Sequence, residues 1–207
     1  MTPSKTLDNI SIPPTSGERP TNLLIVLHGW GANYQDLAPS AYMLDLPNFT
    51  YIFPNAPFEH PQVPGGRAWY ALETEEYTGL TESKQILRDW LLSLPNSTGI
   101  SLENTIMTGF SQGGAMTLDV GFTLPLAGLC SLSGYLHYPP QKQNESVEFP
   151  PVLIVHGTQD PVIPIEAAQQ ARDKLTAMGV EVKYQEFVMG HEIQPPVLTL
   201  MQEFING

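Results

Sequence analysis

The chain has 207 residues, of which 42% are hydrophobic and only 14% are charged, and its formal net charge at pH 7 is −12. This length and apolar fraction fit one globular domain with its own hydrophobic core, so we expect residues 1–207 to form a single domain. The acidic balance predicts no nucleic-acid partner and no stable membrane association, because nucleic acids and anionic lipid surfaces would both repel the chain.

The single cysteine, Cys130, excludes an internal disulfide and fits a reducing compartment. Residues 1–8 contain no apolar run of the kind that marks a secretory signal. No stretch approaches the ~18 consecutive apolar residues that a membrane-spanning helix needs. We therefore expect a cytoplasmic protein.

Short apolar runs without alternation predict buried strands, as in a parallel sheet that is covered on both faces. In chain order the runs are 22–27, 49–53, 105–108, 127–132, 152–156 and 182–188, the last of which alternates. Residues 7–12 are a further candidate, as an antiparallel edge strand.

Between several of these runs lie segments in which the apolar residues recur at helical spacing. Residues 81–94 and 165–178 each place apolar side chains on one face, and two more candidates are the residues after Ser111 and residues 195–204. Pro95 is expected to end the first helix and Gly179 to cap the second. The alternation of strand and helix predicts an α/β fold with a mostly parallel central sheet and helices on both faces. The Pro-rich segment 138–151 is expected to be a surface loop.

The segment Gly109-Phe110-Ser111-Gln112-Gly113 matches the G-x-S-x-G pattern of serine hydrolases. The pattern alone is weak, but an apolar strand enters it and a helical stretch follows it, which is the context that a nucleophile elbow requires. Glycines on both sides leave room for a tight turn, and Ser111 then lies at a helix N-terminus that favours developing negative charge. A glycine-rich turn with a helix-capping serine is the alternative interpretation.

A serine nucleophile needs a base, and in this fold the acid and the histidine follow the serine in that order. Of the five histidines, His137, His156 and His191 come after Ser111. Asp160 follows the run 152–156 and precedes a proline, whereas Asp119 and Asp173 fall inside predicted helices. Once Asp160 is chosen, only His191 lies downstream of it. The hypothesis is therefore that Ser111 is the nucleophile, His191 the base and Asp160 the acid that orients His191.

The turn 27–31, with sequence Leu-His-Gly-Trp-Gly, follows the first predicted parallel strand. In this fold one backbone N–H of the oxyanion hole comes from that loop and the other from the residue after the nucleophile. We therefore expect the backbone N–H groups of Trp30 and Gln112 to hold the oxyanion. His28 and His156 are interpreted as structural residues.

Seven motifs along the chain resemble the phospholipase/carboxylesterase family of α/β-hydrolases, which includes acyl-protein thioesterases, lysophospholipases and small bacterial carboxylesterases. The resemblance runs in order from about Asn22 to the C-terminus, and residues 65–70 and 190–192 are most similar to the small bacterial members. The motifs are Leu-His-Gly-Trp-Gly (27–31), Phe-Pro-Asn-Ala-Pro (53–57), Gly-Gly-Arg-Ala-Trp-Tyr (65–70), Gly-Phe-Ser-Gln-Gly-Gly (109–114), Leu-Ser-Gly-Tyr (132–135), His-Gly-Thr-Gln-Asp-Pro-Val-Ile-Pro (156–164) and Gly-His-Glu (190–192).

This resemblance implies a six- or seven-stranded core with little or no cap, and the same three catalytic residues. It also implies an acyl pocket lined from the loop after the second parallel strand and from the loop that holds the aspartate. The apolar candidates there are Trp69, Tyr70, Leu72, Val162 and Ile163, for which ordinary core packing is an equal alternative. The expected activity is hydrolysis of small-molecule carboxylic esters with short to medium acyl chains, without a cofactor or metal. The alternative is a thioesterase or lysophospholipase that acts on long acyl chains.

Two other classes are less consistent with the sequence. A dienelactone-type hydrolase would carry a cysteine nucleophile, but the elbow holds Ser111 and Cys130 lies outside it. A non-catalytic binding protein of this fold would typically lack one of the three catalytic residues, yet all three are present. No paired-histidine motif indicates a metalloenzyme.

Overall fold

The computed structural model describes residues 6–74, 76–141 and 148–207. The strands are β1 (Asn9–Ile12), β2 (Asn22–Leu27), β3 (Phe49–Pro54), β4 (Phe58–Glu59), β5 (Arg67–Ala68), β6 (Thr105–Phe110), β7 (Gly128–Leu132), β8 (Val152–Gly157) and β9 (Val182–Phe187). The helices are α1 (Tyr34–Leu37), α2 (Ser40–Leu44), α3 (Leu80–Thr98), α4 (Gln112–Gly121), α5 (Ile165–Ala177) and α6 (Pro195–Ile205), with a 3₁₀ turn at Leu102–Asn104.

Seven strands form the central sheet in the order β1-β3-β2-β6-β7-β8-β9. Only the edge strand β1 runs antiparallel to its neighbour; the other pairs are parallel. Because parallel strands end at the same edge of a sheet, the loops after β2, β6, β8 and β9 come together there. This edge therefore receives every element that the sequence assigned to catalysis.

Both faces of the sheet are covered, which explains the unbroken apolar runs. On β2, Leu23, Ile25 and Leu27 belong to the hydrophobic cluster that contains residues of α3, α4 and α5. The intervening Leu24 and Val26 belong to the opposite cluster, which contains residues of α2 and α6. A strand that buries successive side chains on opposite faces needs apolar residues at every position.

The predicted central strands and the antiparallel edge strand are confirmed, as are the four longer helices, apart from shifts of a few residues at their ends. The predicted end of the first helix was wrong. Pro95 lies inside α3, which continues to Thr98 and closes with the Gly99 N–H donating to the Pro95 carbonyl. A proline inside a helix lacks the N–H that would bond to the carbonyl four residues earlier, here that of Leu91. The helix nevertheless continues, and in its last turn the hydroxyls of Ser97 and Thr98 donate to the Leu94 carbonyl.

Two further differences concern loops. The short helices α1 and α2 and the two-stranded β4–β5 hairpin were not predicted, because two to five residues carry too little periodicity to detect. The predicted surface loop 138–151 lies partly outside the described residues; its described parts, 138–141 and 148–151, contain no helix or strand. Within the described parts of the chain, no helix is long and apolar enough to cross a bilayer.

Candidate active site

Ser111 lies on the tight turn that joins β6 to α4, with φ 56° and ψ −118°. A non-glycine residue at positive φ is strained, and such strain is concentrated at functional sites. The turn is so close that a Cβ on Gly109 would lie 2.2 Å from the Gly113 carbonyl oxygen, and a Cβ on Gly113 would lie 2.3 Å from that of Leu27. Both glycines are therefore required by backbone contact.

The structure brings Ser111, His191 and Asp160 into one hydrogen-bonded chain. The Ser111 hydroxyl lies 2.9 Å from His191 Nε2, and His191 Nδ1 lies 2.7 Å from Asp160 Oδ2. His191 is on the loop after β9 and Asp160 on the loop after β8, so sheet topology joins residues that are 80 and 31 positions apart. The ring of Phe110 packs on the imidazole of His191 at 4.7 Å between centroids, a contact that the sequence did not reveal.

The Asp160 carboxylate accepts three hydrogen bonds from the residues around it. Its Oδ1 accepts the backbone N–H groups of Val162 and Ile163 at 2.8 and 2.9 Å, while Oδ2 accepts from His191. Burial alone would raise the pKa of Asp160, but these three donors outweigh it and hold the pKa below its usual range. The group therefore stays ionised and orients the imidazole.

Two further histidines support this site from within the protein. His156 Nε2 donates to the Ile163 carbonyl at 2.9 Å and lies 3.5 Å from Asp160 Oδ2, so it fixes the loop that carries the carboxylate. His28 Nδ1 donates to the Gly29 carbonyl, and its Nε2 accepts the N–H of Ala56 at 3.0 Å. Burial lowers the pKa of His28 to about 4, so its imidazole is neutral at pH 7 and links the loop after β2 to the loop after β3.

The two expected oxyanion donors flank Ser111. Gln112 follows it at the start of α4, and Trp30 follows Gly29, at which an added Cβ would lie 3.3 Å from the Ser111 Cβ. Across the described residues, neither backbone N–H has a protein acceptor, and the Trp30 indole N–H is also buried without one. Two backbone donors beside a nucleophile are what an oxyanion requires.

The side chain of Gln112 has a role that the sequence did not suggest. Its Oε1 accepts the N–H of Trp69 at 2.9 Å, and its Nε2 donates to the Tyr70 carbonyl at 2.8 Å. The indole N–H of Trp69 in turn donates to the His28 carbonyl at 3.0 Å. Hydrogen bonds to the segment after β5 therefore connect the two loops that carry the expected oxyanion donors. The Trp69 carbonyl in this segment also accepts a hydrogen bond from the Ser83 hydroxyl.

An apolar groove of about 460 Å³ includes Trp30, one of the two expected oxyanion donors, in its lining. Its mouth is formed by exposed residues that include Glu59 and Glu73, and its most deeply buried lining residues are Ala68 and Tyr70, at 4% and 0% exposure. The remaining lining residues are Phe58, Pro61, Ala71, Thr78, Gly79 and Glu82.

The five expected pocket residues occupy different environments. Tyr70 lines the groove, but Trp69 is completely buried and acts on the neighbouring loops, because its backbone and its indole are both engaged there. Leu72 and Val162 are exposed and Ile163 is half-buried, and none of these three lines the groove. Their contact with substrate stays a prediction.

Neither the single cysteine nor a cluster of metal-binding side chains offers an alternative to a serine nucleophile in the described residues. Burial raises the pKa of the Cys130 thiol well above its usual range, which disfavours the thiolate that a cysteine nucleophile needs. Among the described residues, no group of three or more histidine, cysteine, aspartate or glutamate side chains is arranged to hold a metal ion.

Known proteins share this fold and this sequence pattern. A family model described as Phospholipase/Carboxylesterase matches residues 14–207. The acyl-protein thioesterase 1 of Saccharomyces cerevisiae is 32% identical over 200 residues, which cover 86% of each chain. The crystal structure of esterase PE8 is similar with a TM-score of 0.88 at 29% identity, covering 97% of this chain and 98% of that one. The Bacillus cereus carboxylesterase shares the fold, with a TM-score of 0.83 at 17% identity over 98% of this chain and 94% of that one.

We expect Gln112→Met to destabilise the protein and slow turnover, although methionine keeps the volume. The buried N–H of Trp69 and the carbonyl of Tyr70 lose their partners, at ~1–3 kcal/mol each. Because the backbone N–H at position 112 remains, kcat should fall by less than the ~10²- to 10³-fold typical of a lost oxyanion donor. Urea unfolding and steady-state kinetics measure both effects. Unchanged stability would contradict the assigned bonds.

Stability should also fall as pH is lowered from 6.5 toward 4, since His28 has its ordinary pKa of 6.5 when unfolded and a pKa of about 4 when folded. Protons then bind the unfolded chain preferentially, which costs up to ~3 kcal/mol across this window. In His28→Gln, an acceptor for Ala56 is kept but nothing titrates there. The free energy of unfolding of this variant should depend less on pH than that of the unaltered protein between pH 6.5 and 4. Parallel slopes would refute the assignment.

Proposed function

Because the chain belongs to the phospholipase/carboxylesterase family and is a serine hydrolase, we propose that Ser111, His191 and Asp160 are its catalytic triad. The observation that carries this proposal is the continuous chain of hydrogen bonds from the Ser111 hydroxyl through both nitrogens of His191 to Asp160. The strained turn at Ser111 and the ionised state of Asp160 support it.

In the proposed reaction the Ser111 oxygen attacks the ester carbonyl carbon while its proton passes to His191 Nε2. Asp160 holds the Nδ1 proton and stabilises the imidazolium. The backbone N–H groups of Trp30 and Gln112 bind the oxyanion of the tetrahedral intermediate. Collapse of that intermediate breaks the bond to the alkoxide, which takes the proton from His191 and leaves as an alcohol. Water, deprotonated by His191, then attacks the acyl carbon. The bond to the Ser111 oxygen breaks, this oxygen takes the proton back from His191, and the carboxylic acid leaves.

The proposed substrates are small-molecule esters with short to medium acyl chains. Their acyl group would lie in the apolar groove whose lining includes Trp30. Each methylene that the groove covers is stabilised by ~0.8 kcal/mol. A groove of about 460 Å³ covers only a limited number of methylenes, so longer chains gain nothing beyond its end. Glutamates at the mouth and the net charge of −12 oppose attachment to an anionic membrane, where long-chain lipids are met.

A second candidate is hydrolysis of long-chain acyl thioesters. It is favoured by the relatives, since proteins described as acyl-protein thioesterase 1 include the Saccharomyces cerevisiae protein of 32% identity. The same triad would serve, because thioesters pass through the same acyl-enzyme. The two candidates differ in chain length and in the leaving group.

Ser111→Ala should retain the fold and lower kcat by ~10³-fold or more, because the acyl-enzyme can no longer form. Hydrolysis of p-nitrophenyl butyrate measures this loss, and an organophosphonate followed by mass spectrometry should label Ser111. The control is Ser97→Ala on the exposed side of α3, which should retain full activity. Asp160→Asn should fold but be slow, because the imidazole loses its orienting acceptor. Near-normal turnover of Ser111→Ala would exclude the proposed nucleophile.

The two candidate substrate classes are separated by a series of p-nitrophenyl esters from acetate to palmitate, alongside a palmitoylated cysteine peptide. We expect kcat/KM to reach a maximum at short to medium length and then to fall, with little cleavage of the peptide. Binding to vesicles containing phosphatidylserine at 0.15 M salt should be negligible. A kcat/KM that keeps rising through palmitate, with comparable release from the peptide, would establish the thioesterase alternative instead.

A further inference from the structure

The structure buries a second pair of ionisable side chains next to Tyr70, a residue of the groove lining. The proposed reaction does not use this pair. Asp119 is on α4, and His137 is on the loop after β7. His137 Nδ1 lies 2.8 Å from Asp119 Oδ2, and both side chains are only 1% exposed. Lys84 Nζ lies 3.7 Å from the same oxygen. Two such groups are rarely buried without a structural or functional reason.

Four tyrosine rings pack around His137, and that of Tyr138 is stacked on the imidazole with centroids 6.4 Å apart. Tyr70, Tyr77 and Tyr135 meet the imidazole edge-on, with centroids 5.0 to 5.1 Å away. The hydroxyls of Tyr70 and Tyr135 are hydrogen-bonded to each other. Burial raises the pKa of Tyr135 to about 12 and that of Tyr70 higher still, so both phenols stay protonated and one donates to the other. Tyr70 is thus held in place by its hydroxyl and by ring packing.

The cluster touches the linings of two cavities. Tyr70 lines the groove that also includes Trp30, and it is completely buried. Asp119 lines a second cavity of about 360 Å³, which also includes Leu80 and Tyr138. His137 contacts one residue of each lining, Tyr70 by ring packing and Asp119 at 2.8 Å. The two linings also meet along the start of α3, where Gly79 and Glu82 line the groove and Leu80 and Thr81 line the second cavity.

We propose that the ring of His137, buried beside Asp119, is a specificity determinant: its bulk holds Tyr70 against Tyr135 as the closed end of the groove, and this closure limits the length of the acyl chain. The inference rests on the proposed function, since it requires the acyl group to enter the groove. His137 touches no reacting atom and acts by positioning Tyr70.

The physical consequence is a sharp loss of affinity for longer chains. A methylene that the groove covers contributes about a fourfold gain in kcat/KM, and a methylene that meets Tyr70 contributes none. If the closed end recedes far enough to admit two more methylenes, long-chain esters should gain roughly 15-fold relative to short ones. Short esters do not reach the end and should be unaffected.

The test is the ratio of kcat/KM for p-nitrophenyl decanoate to that for p-nitrophenyl butyrate. His137→Ala removes the imidazole from behind Tyr70, and the ratio should rise about tenfold or more with butyrate turnover within about threefold of the unaltered enzyme. Tyr135→Ala removes the partner hydroxyl from a partly exposed loop, and it should shift the ratio in the same direction. This second variant decides the matter if the first does not fold.

Two matched controls separate closure from general loosening. The double variant His137→Phe/Asp119→Asn keeps the bulk behind Tyr70 and removes the ionisable groups, so the ratio should stay within about twofold. Gln85→Ala alters the lining of the second cavity at a position whose side chain bonds to Asp89, away from the tyrosine pair, and its ratio should also be unchanged. A rise in either control equal to that of His137→Ala would overturn the closure mechanism.

The outcomes distinguish this inference from the proposed function. If the unaltered protein hydrolyses butyrate through Ser111 but folded His137→Ala and Tyr135→Ala leave the ratio unchanged, the inference fails and the proposed function stands. If the unaltered protein hydrolyses neither ester, both fail.

Discussion

Backbone contact at the turn around Ser111 is the constraint on which the rest of the site depends. The Leu27 carbonyl lies so close to Gly113 that Gly113 cannot carry a Cβ. The Gly113 carbonyl excludes a Cβ on Gly109 in the same way. This contact forces Ser111 into a positive φ, at a cost of ~1–3 kcal/mol, and sets the start of α4 against the end of β2. It therefore places the loop of Trp30 beside the nucleophile. The apolar strands on both sides, buried on both faces, supply the stability that this strain requires.

Much of this architecture could be predicted because the determining signals are local. An apolar run such as 152–156 specifies a doubly covered strand wherever it occurs, and the strand–turn–helix context of Ser111 is contiguous in the chain. The positions of Asp160 and His191 followed from topology, since both come directly after a parallel strand. Pro95 was misleading because a proline costs a helix one hydrogen bond without always ending it, and α3 runs three residues further and closes at Gly99.

The pocket could not be predicted in the same way, because contact with substrate depends on which side of a loop remains accessible. Trp69 and Tyr70 are adjacent and aromatic, yet Trp69 bonds to two loops through its backbone and its indole, while Tyr70 lines the groove. The cause is the side chain of Gln112, which bonds to the backbone of both residues from 42 and 43 positions away. Nothing in the local sequence of 65–70 carries that information.

The two histidine–carboxylate pairs show how surroundings give the same chemistry different roles. Position in the chain excluded Asp119 and His137 from the predicted triad, and the structure pairs them with each other. His191 retains 16% exposure beside a completely buried Asp160, so its Nε2 can exchange a proton with Ser111 and with entering water. His137 is enclosed by four tyrosine rings and reaches neither. Helix α4 begins with Gln112, one of the two expected oxyanion donors, and carries Asp119 two turns later, so one element connects the expected oxyanion site to the His137 cluster.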